Sequence, residues 1–274
     1  MNTVMRNKNN TGLANGLGLA WMLAKRDLRN RYASSYAGVA WNIGVPLLYS
    51  LINVVVFSIL MSGRMGARYG DVPFSLFYFV PFSLWGVFAE VTGRSPGILR
   101  EYGYLINKIA FPAWVLPMVP FASALLGQAI ILALTVGLVV YLGVAVASTA
   151  WMYLVIWAIV MVLTLGIAYL ISALAVYVPD LAQAVPVVVT ILFWLTPILY
   201  PAKIVEDHGA LWVRSLIMDY NPFYYIVDLS RHAVFGGGPV AWESLAGIGF
   251  VALATLAFGL FVFRKLRPGF ADVI

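Results

Sequence analysis

Asn221-Pro222-Phe223-Tyr224-Tyr225-Ile226-Val227-Asp228-Leu229-Ser230-Arg231-His232-Ala233-Val234-Phe235, closed by Gly236-Gly237-Gly238-Pro239, is the stretch that decides the fold. Asn is a good N-cap and Pro suits the first helical position, so a helix starts at Pro222. The glycines and Pro239 stop it. The residues between them, about 14 at roughly 1.5 Å each, reach about 21 Å, short of a hydrocarbon core of about 30 Å. Such a helix enters a membrane without crossing it. Irregular backbone at that depth is tolerated only where it is buried in protein or lines a wet cavity, so the segment 201–243, with two short helices, reads as a gate beside a pathway. Its candidate gate residues are Asn221, Pro222, Tyr224, Tyr225, Asp228 and Arg231.

The rest of the chain supplies the membrane. Hydrophobic residues make up 62% of the 274 and charged ones 10%, and the mean hydropathy is +0.92, far from a soluble globular domain. Six apolar stretches, at 39–61, 73–92, 113–146, 152–177, 184–200 and 245–263, are each read as a transmembrane helix. The fold class is therefore all-α integral membrane, one membrane domain over 1–274 without a soluble domain or internal repeat. There is no cysteine, which excludes disulfides and thiolate chemistry. The net charge of +6 comes from basic residues at the ends of apolar spans, a topology signal and not a nucleic-acid face. Lys and Arg count twelve on the side of the termini and five on the other, so both termini are expected in the cytoplasm.

Two further segments have a character of their own. The N-terminal region lacks a secretory cleavage pattern and reads as an amphipathic helix over 12–33 lying in the headgroup plane. Leu13, Leu17, Ala20, Trp21, Ala24 and Leu28 share a stripe at 100° per residue, with Arg26 and Arg29 opposite. The connection 94–112 carries a short mixed helix in which Arg100, Glu101, Tyr102, Tyr104 and Leu105 alternate charge with apolar and aromatic groups. It is either a surface helix or a docking knob for a cytoplasmic partner.

Several chemistries are absent. No lysine completes a Gly-x-x-x-x-Gly-Lys-Ser/Thr phosphate loop, so ATP chemistry must reside on another chain. Gly93-Arg94-Ser95-Pro96-Gly97 has the form of a nucleophile elbow, but Pro96 cannot donate the N–H an oxyanion hole needs. His208 and His232 have no metal-ligand spacing. Glu90 is the clear intramembrane acid, and with Arg94 four residues on it reads as a helical ion pair. That scarcity disfavours an ion-coupled transporter. A membrane-embedded glycosyl- or acyltransferase would need converging acid/base groups, whereas Glu90, Asp180 and Asp228 are scattered.

Aromatic surface is abundant. Phe74, Tyr78, Phe82 and Trp85 recur at steps of four, four and three in the second span, Tyr49, Asn53 and Phe57 in the first, and Phe193 and Trp194 stand in the fifth. Such stripes serve as packing or interfacial belts. Ring faces also stack on the C–H side of a sugar without gripping one hydroxyl, so these nine residues are candidates to line a substrate channel.

Arg26-Asp27-Leu28-Arg29-Asn30-Arg31-Tyr32 with Gly38-Val39-Ala40-Trp41 and Pro46-Leu47-Leu48 resembles the N-terminal signature of permease subunits from polysaccharide-exporting ABC transporters. Leu105-Ile106-Asn107-Lys108-Ile109-Ala110-Phe111-Pro112, Asn221-Pro222-Phe223-Tyr224-Tyr225 and Phe270-Ala271-Asp272-Val273 are similar to its later landmarks. The resemblance runs nearly end to end and implies a homodimer of six-helix subunits in the bacterial inner membrane. Two copies of an ATP-binding subunit would carry ATP and Mg, with no cofactor on this chain. The segment 94–112 becomes the coupling helix for that subunit and 201–243 the external gate. The cargo implied is a polysaccharide on an undecaprenyl-type lipid diphosphate, O-antigen first, with Arg26, Arg29 and Arg31 placed to meet the diphosphate. Capsule, teichoic acid, drug or lipid exporters share the plan.

Overall fold

The computed structural model describes residues 2–31, 40–60, 72–108, 111–236 and 241–274, and among them there are helices and turns but no strand. Tyr32, Gly38, Arg64, Arg68 and Gly237-Gly238-Pro239 lie outside the described residues. A long N-terminal helix α1 (Asn2–Arg31) is followed by α2 (Trp41–Leu60), α3 (Phe74–Arg94) and two short helices, α4 (Ile98–Glu101) and α5 (Gly103–Lys108). A 3₁₀ turn (Ala113–Val115) leads into α6 (Met118–Leu142), then come α7 (Met152–Tyr177) and α8 (Leu181–Leu195). The segment after α8 holds α9 (Lys203–His208), α10 (Leu211–Arg214) with a π turn (Ser215–Asp219), and α11 (Pro222–Phe235). Helix α12 (Trp242–Leu266), a 3₁₀ turn (Arg267–Gly269) and α13 (Phe270–Val273) complete the chain.

Among the described residues, four helical stretches are long and apolar enough to cross a membrane: Phe74–Arg94, Ala113–Leu142, Met152–Tyr177 and Trp242–Val273. Leu47–Leu60 and Leu181–Leu195 are shorter apolar helices. The expected fifth span, 184–200, thus stops five residues early. Thr196 is extended (φ −97°, ψ 130°), as the residue before Pro197 is pushed to be by the proline ring. The third stretch ends at Gly143 (φ +62°), not at 146. Its N–H bonds Val140 O and the N–H of Val144 bonds Val139 O, a Schellman closure that requires the left-handed residue.

Helices α7 and α12 approach most closely. A Cβ on Gly166 would stand 2.6 Å from the backbone N of Leu256, and one on Gly259 would collide with the carbonyl oxygen of Gly166. Small residues at a crossing let two backbones touch, which is how helices pack where no water drives them together. One core forms around Tyr78, Trp85, Phe88, Ile156, Phe223 and Ile248. A second, at the end that carries α1, is built from Leu23, Leu99, Tyr102, Leu116, Phe263 and Phe270.

The N-terminal helix differs in both length and facing from the expected 12–33 stripe. Ala20, Ala24 and Leu28 of that stripe are buried within the subunit, Leu23 and Asp27 join them, and Leu17 and Trp21 are exposed. The cause is an ion pair: Arg94 of α3 donates to Asp27 Oδ1 at 2.6 Å, which turns the Asp27 edge of α1 toward the bundle. Gly16 completes that contact, since a Cβ there would collide with Trp114.

Gly259→Val is expected to lower stability by about 1–3 kcal/mol, the cost of overpacking, whereas Gly137→Val, where a Cβ meets open space, should leave it unchanged. Thermal unfolding of the solubilised protein checks this, and equal midpoints for the two variants would contradict the backbone contact.

Candidate functional site

The short helix α11 lies inside the bundle with both ends accounted for. Asn221 Oδ1 accepts from the N–H of Phe223 at 3.0 Å, and Pro222 follows at the first helical position, as the dipeptide predicts. The same side chain donates through Nδ2 to Thr196 Oγ1 at 3.0 Å, tying the start of α11 to the end of α8. At the other end Gly236 takes φ +74°. The last carbonyls find donors in the connection between α6 and α7: Ala147 N–H bonds Val234 O at 2.9 Å and Thr149 Oγ1 bonds Ala233 O at 3.1 Å. A helix terminus left without such donors in a dry interior would lose several kcal/mol, so the capping explains why a broken helix persists here.

Arg231 holds the middle of this arrangement. Its side chain is 3% exposed, and its guanidinium donates to three backbone carbonyls: Nε to Phe77 O at 3.2 Å, Nη1 to Pro197 O at 2.8 Å and Nη2 to Ile198 O at 2.7 Å. The Phe77 ring lies under it, with Cζ 3.4 Å from the ring centroid. The Phe77 carbonyl is available because its helical partner four residues on is Pro81, which has no N–H. The Pro197 and Ile198 carbonyls are available because the chain leaves helical geometry at Thr196. Two proline defects in two segments thus create acceptors, and one fork-shaped cation from a third fills them. Sequence reading placed Arg231 in the gate without this role; the signal was a proline inside an apolar span combined with an arginine inside an apolar helix.

The nine aromatic and polar channel candidates divide. Phe74, Tyr78 and Trp85 are buried within the subunit. Phe57 stacks on Phe74 with centroids 6.3 Å apart, Tyr78 stacks on Phe82 at 4.7 Å, and Asn53 Nδ2 donates to the Tyr78 hydroxyl at 3.4 Å. Trp85 meets Phe193 at 5.7 Å and Phe223 at 5.0 Å, joining α3 to α8 and α11. These residues pack the helices together. Tyr49 and Trp194, at 66% and 57% exposure, instead point away from the core. Among the gate candidates, Tyr224 and Tyr225 pack edge to face at 5.2 Å, and Asp228 Oδ2 lies 3.4 Å from His232 Nδ1 one turn on.

At the end that carries α1, the coupling candidates are also of two kinds. Tyr102 was expected at the surface but is buried, because the turn between α4 and α5 wedges it into the second core beside Leu23 and Leu99. Burial, then Asp27 and Glu101, push its hydroxyl up to about 12. Arg100 reaches back to donate to Val176 O at 3.0 Å, one of the last carbonyls of α7. Ile274 occupies the space a Cβ on Gly103 would need, so the chain's last residue braces this connection. Tyr104 is exposed, Leu105 half-buried, and Glu101 borders an open hollow of about 360 Å³ with Asp27, Asn30 and Arg94. Arg94 also donates to Ser123 Oγ at 3.1 Å. Arg26 and Arg29 are exposed on α1; the side chain of Arg31 lies outside the described residues.

Comparison with known proteins extends the picture. The family described as ABC-2 type transporter matches residues 18–235. An O-antigen export system permease protein, RfbA, of Myxococcus xanthus is 27% identical over 261 residues, covering 94% of this chain and 95% of the relative. One from Klebsiella pneumoniae is 26% identical, covering 92% and 93%. The polysialic acid transport protein KpsM of Escherichia coli is 25% identical over 247 residues, covering 87% and 90%.

Replacing Arg231 with Lys leaves at least one of its three carbonyls without a donor in the site's fork geometry, and each unsatisfied buried group costs about 1–3 kcal/mol. The midpoint of thermal unfolding should fall for Arg231→Lys and further for Arg231→Met. A Met variant as stable as the parent would contradict the role assigned to the guanidinium.

Proposed function

Because the chain belongs to the ABC-2 type transporter family, we propose that it is the permease subunit of an ATP-driven exporter that moves lipid-linked cell-surface polysaccharide, of the O-antigen kind, across the bacterial inner membrane. The observation that carries this reading is the likeness, over more than nine-tenths of the chain, to permeases named for O-antigen export. The relatives named for polysialic acid transport support polysaccharide as the class of cargo.

In this reading α2 and α8 join the four long stretches as membrane spans, giving six, with the termini in the cytoplasm. The subunit works as a dimer with two ATP-binding subunits, and the pathway runs between the two copies. Exposed Tyr49 and Trp194 offer ring faces to the passing glycan, while Phe74, Tyr78 and Trp85 hold the wall from behind. Exposed Arg26 and Arg29 on α1 meet the lipid diphosphate, a dianion suited to paired guanidinium groups. Helix α11 is the gate element.

The α4–α5 connection receives the ATP-driven stroke. Its outer face presents Glu101 and Tyr104 to the ATP-binding subunit, and its inner face is fixed to the bundle by Tyr102, Leu105, Arg100 and Ile274. A push on the outer face is therefore passed to α1, α7 and the C-terminal helix together. No phosphate loop exists in this sequence, so hydrolysis belongs to the partner.

Co-purification of the ATP-binding subunit, with hydrolysis stimulated by an undecaprenyl-diphosphate-linked glycan, tests the reading; a purified chain that retains no ATP-binding subunit would sink it. Within that complex, Tyr104→Ala should release the ATP-binding subunit without loss of folded permease, since truncating an interface anchor often costs about 2 kcal/mol or more. Tyr102→Ala should lower folded yield instead, and the reverse pattern in pull-downs would overturn the assignment of faces. Arg26→Glu with Arg29→Glu should abolish most of the stimulation by lipid-linked glycan while basal hydrolysis stays; undiminished stimulation would reduce both residues to topology signals.

A further inference from the structure

At the end of the bundle away from the Asp27–Arg94 pair, a hollow of about 500 Å³ lies between the turn that precedes α11 and the first turns of α12. Its lining includes the exposed Asp219, Tyr220 and Glu243, with Tyr225 and the apolar Ile248 and Val251. Neither carboxylate has a hydrogen-bond or ion-pair partner among the described residues. Both are exposed, and a Cβ at Gly247, on the hollow's floor, would meet nothing within 4 Å.

The depth of this hollow decides what fits. Exposed Trp242 and Tyr220 mark the headgroup level, where amphipathic rings settle. Val251 lies nine residues further along α12, roughly 13 Å deeper, beside exposed Phe250 and Leu253. The hollow therefore runs from an acidic rim at the interface into a lipid-facing apolar surface. A polysaccharide has no use for an apolar wall open to acyl chains. An anionic lipid would bring its phosphate against two carboxylates. A carboxylate accepts hydrogen bonds and donates none, so its best partner is a cation that still carries N–H groups.

We propose that this hollow binds a phospholipid with a primary ammonium headgroup, of the phosphatidylethanolamine type, its ammonium on Asp219 and Glu243 and one acyl chain along Ile248 and Val251. The lipid wedges between the gate helix and α12, so it bears on the gate's setting. The proposal rests on the embedding of α12 in a membrane and is independent of the cargo.

The full-length protein in detergent, titrated with dioleoyl-phosphatidylethanolamine, -choline and -glycerol and read by native mass spectrometry, tests it. Ethanolamine lipid should be retained about tenfold more tightly than the other two, the scale of roughly one charge-assisted hydrogen bond. The preference should vanish in Asp219→Asn with Glu243→Gln. Gly247→Leu, whose Cβ meets open space on the hollow's lining, should block binding with the thermal midpoint unchanged. Equal retention of all three lipids, a preference for choline or glycerol lipid, or an undiminished ethanolamine preference in these variants would overturn the proposal. Displacement of the lipid by soluble surface polysaccharide would overturn it in favour of a sugar site.

Discussion

One buried guanidinium governs this fold. In a dry interior every unpaired carbonyl is costly, and so is an uncompensated charge. Arg231 resolves three of the first and is itself held by them and by the Phe77 ring. The acceptors belong to the second apolar span and to the broken end of α8, and the donor belongs to a helix too short to cross. Because each defect is the remedy of another, none of the three segments can be regularised alone. The broken geometry is a single cooperative unit.

The same logic sets the ends of α11. Asn221 joins its start to Thr196, and Ala147 and Thr149 join its end to the connection between α6 and α7. A short helix so anchored has its end groups satisfied, and movement must exchange these bonds for others or for water. That gives the position of α11 a definite energetic depth. At the opposite end the Asp27–Arg94 pair fixes α1 to α3, and the brace of Arg100, Tyr102 and Ile274 fixes the α4–α5 connection. Between the two ends, the glycine contact of α7 with α12 makes a stiff spine. Force applied at one end has a rigid path to the other.

Much of this was legible in the sequence because its signals are local. The Asn221-Pro222 start of α11, its glycine end and its insufficient length follow from capping chemistry and helix rise, and the apolar stretches follow from composition. What escaped was non-local. The inward face of α1 is set by Asp27 meeting an arginine 67 residues away, which overrides the apolar stripe. Tyr102 looked like a surface anchor because its neighbours alternate with charge, yet the chain turns at that residue and buries it. The aromatic stripe of α3 has the right spacing for a lining, but spacing cannot say whether a helix face meets a cavity or α8 and α11; here Trp85 meets both helices. Arg231 is read from the sequence as a gate residue without its carbonyl-bridging role, since only the fold brings Pro81 and Pro197 to it.

An exporter of lipid-linked polysaccharide needs a wall that grips no single sugar, a gate that rests closed and a mechanical link to an ATPase, and the elements above correspond to those needs in the proposed reading. The most direct measurement is translocation in proteoliposomes that contain this chain, its ATP-binding subunit and a lipid-linked glycan. The account predicts that the glycan crosses only when ATP is hydrolysed and both subunits are present. Crossing without the ATP-binding subunit, or crossing driven by a proton gradient alone, would contradict it.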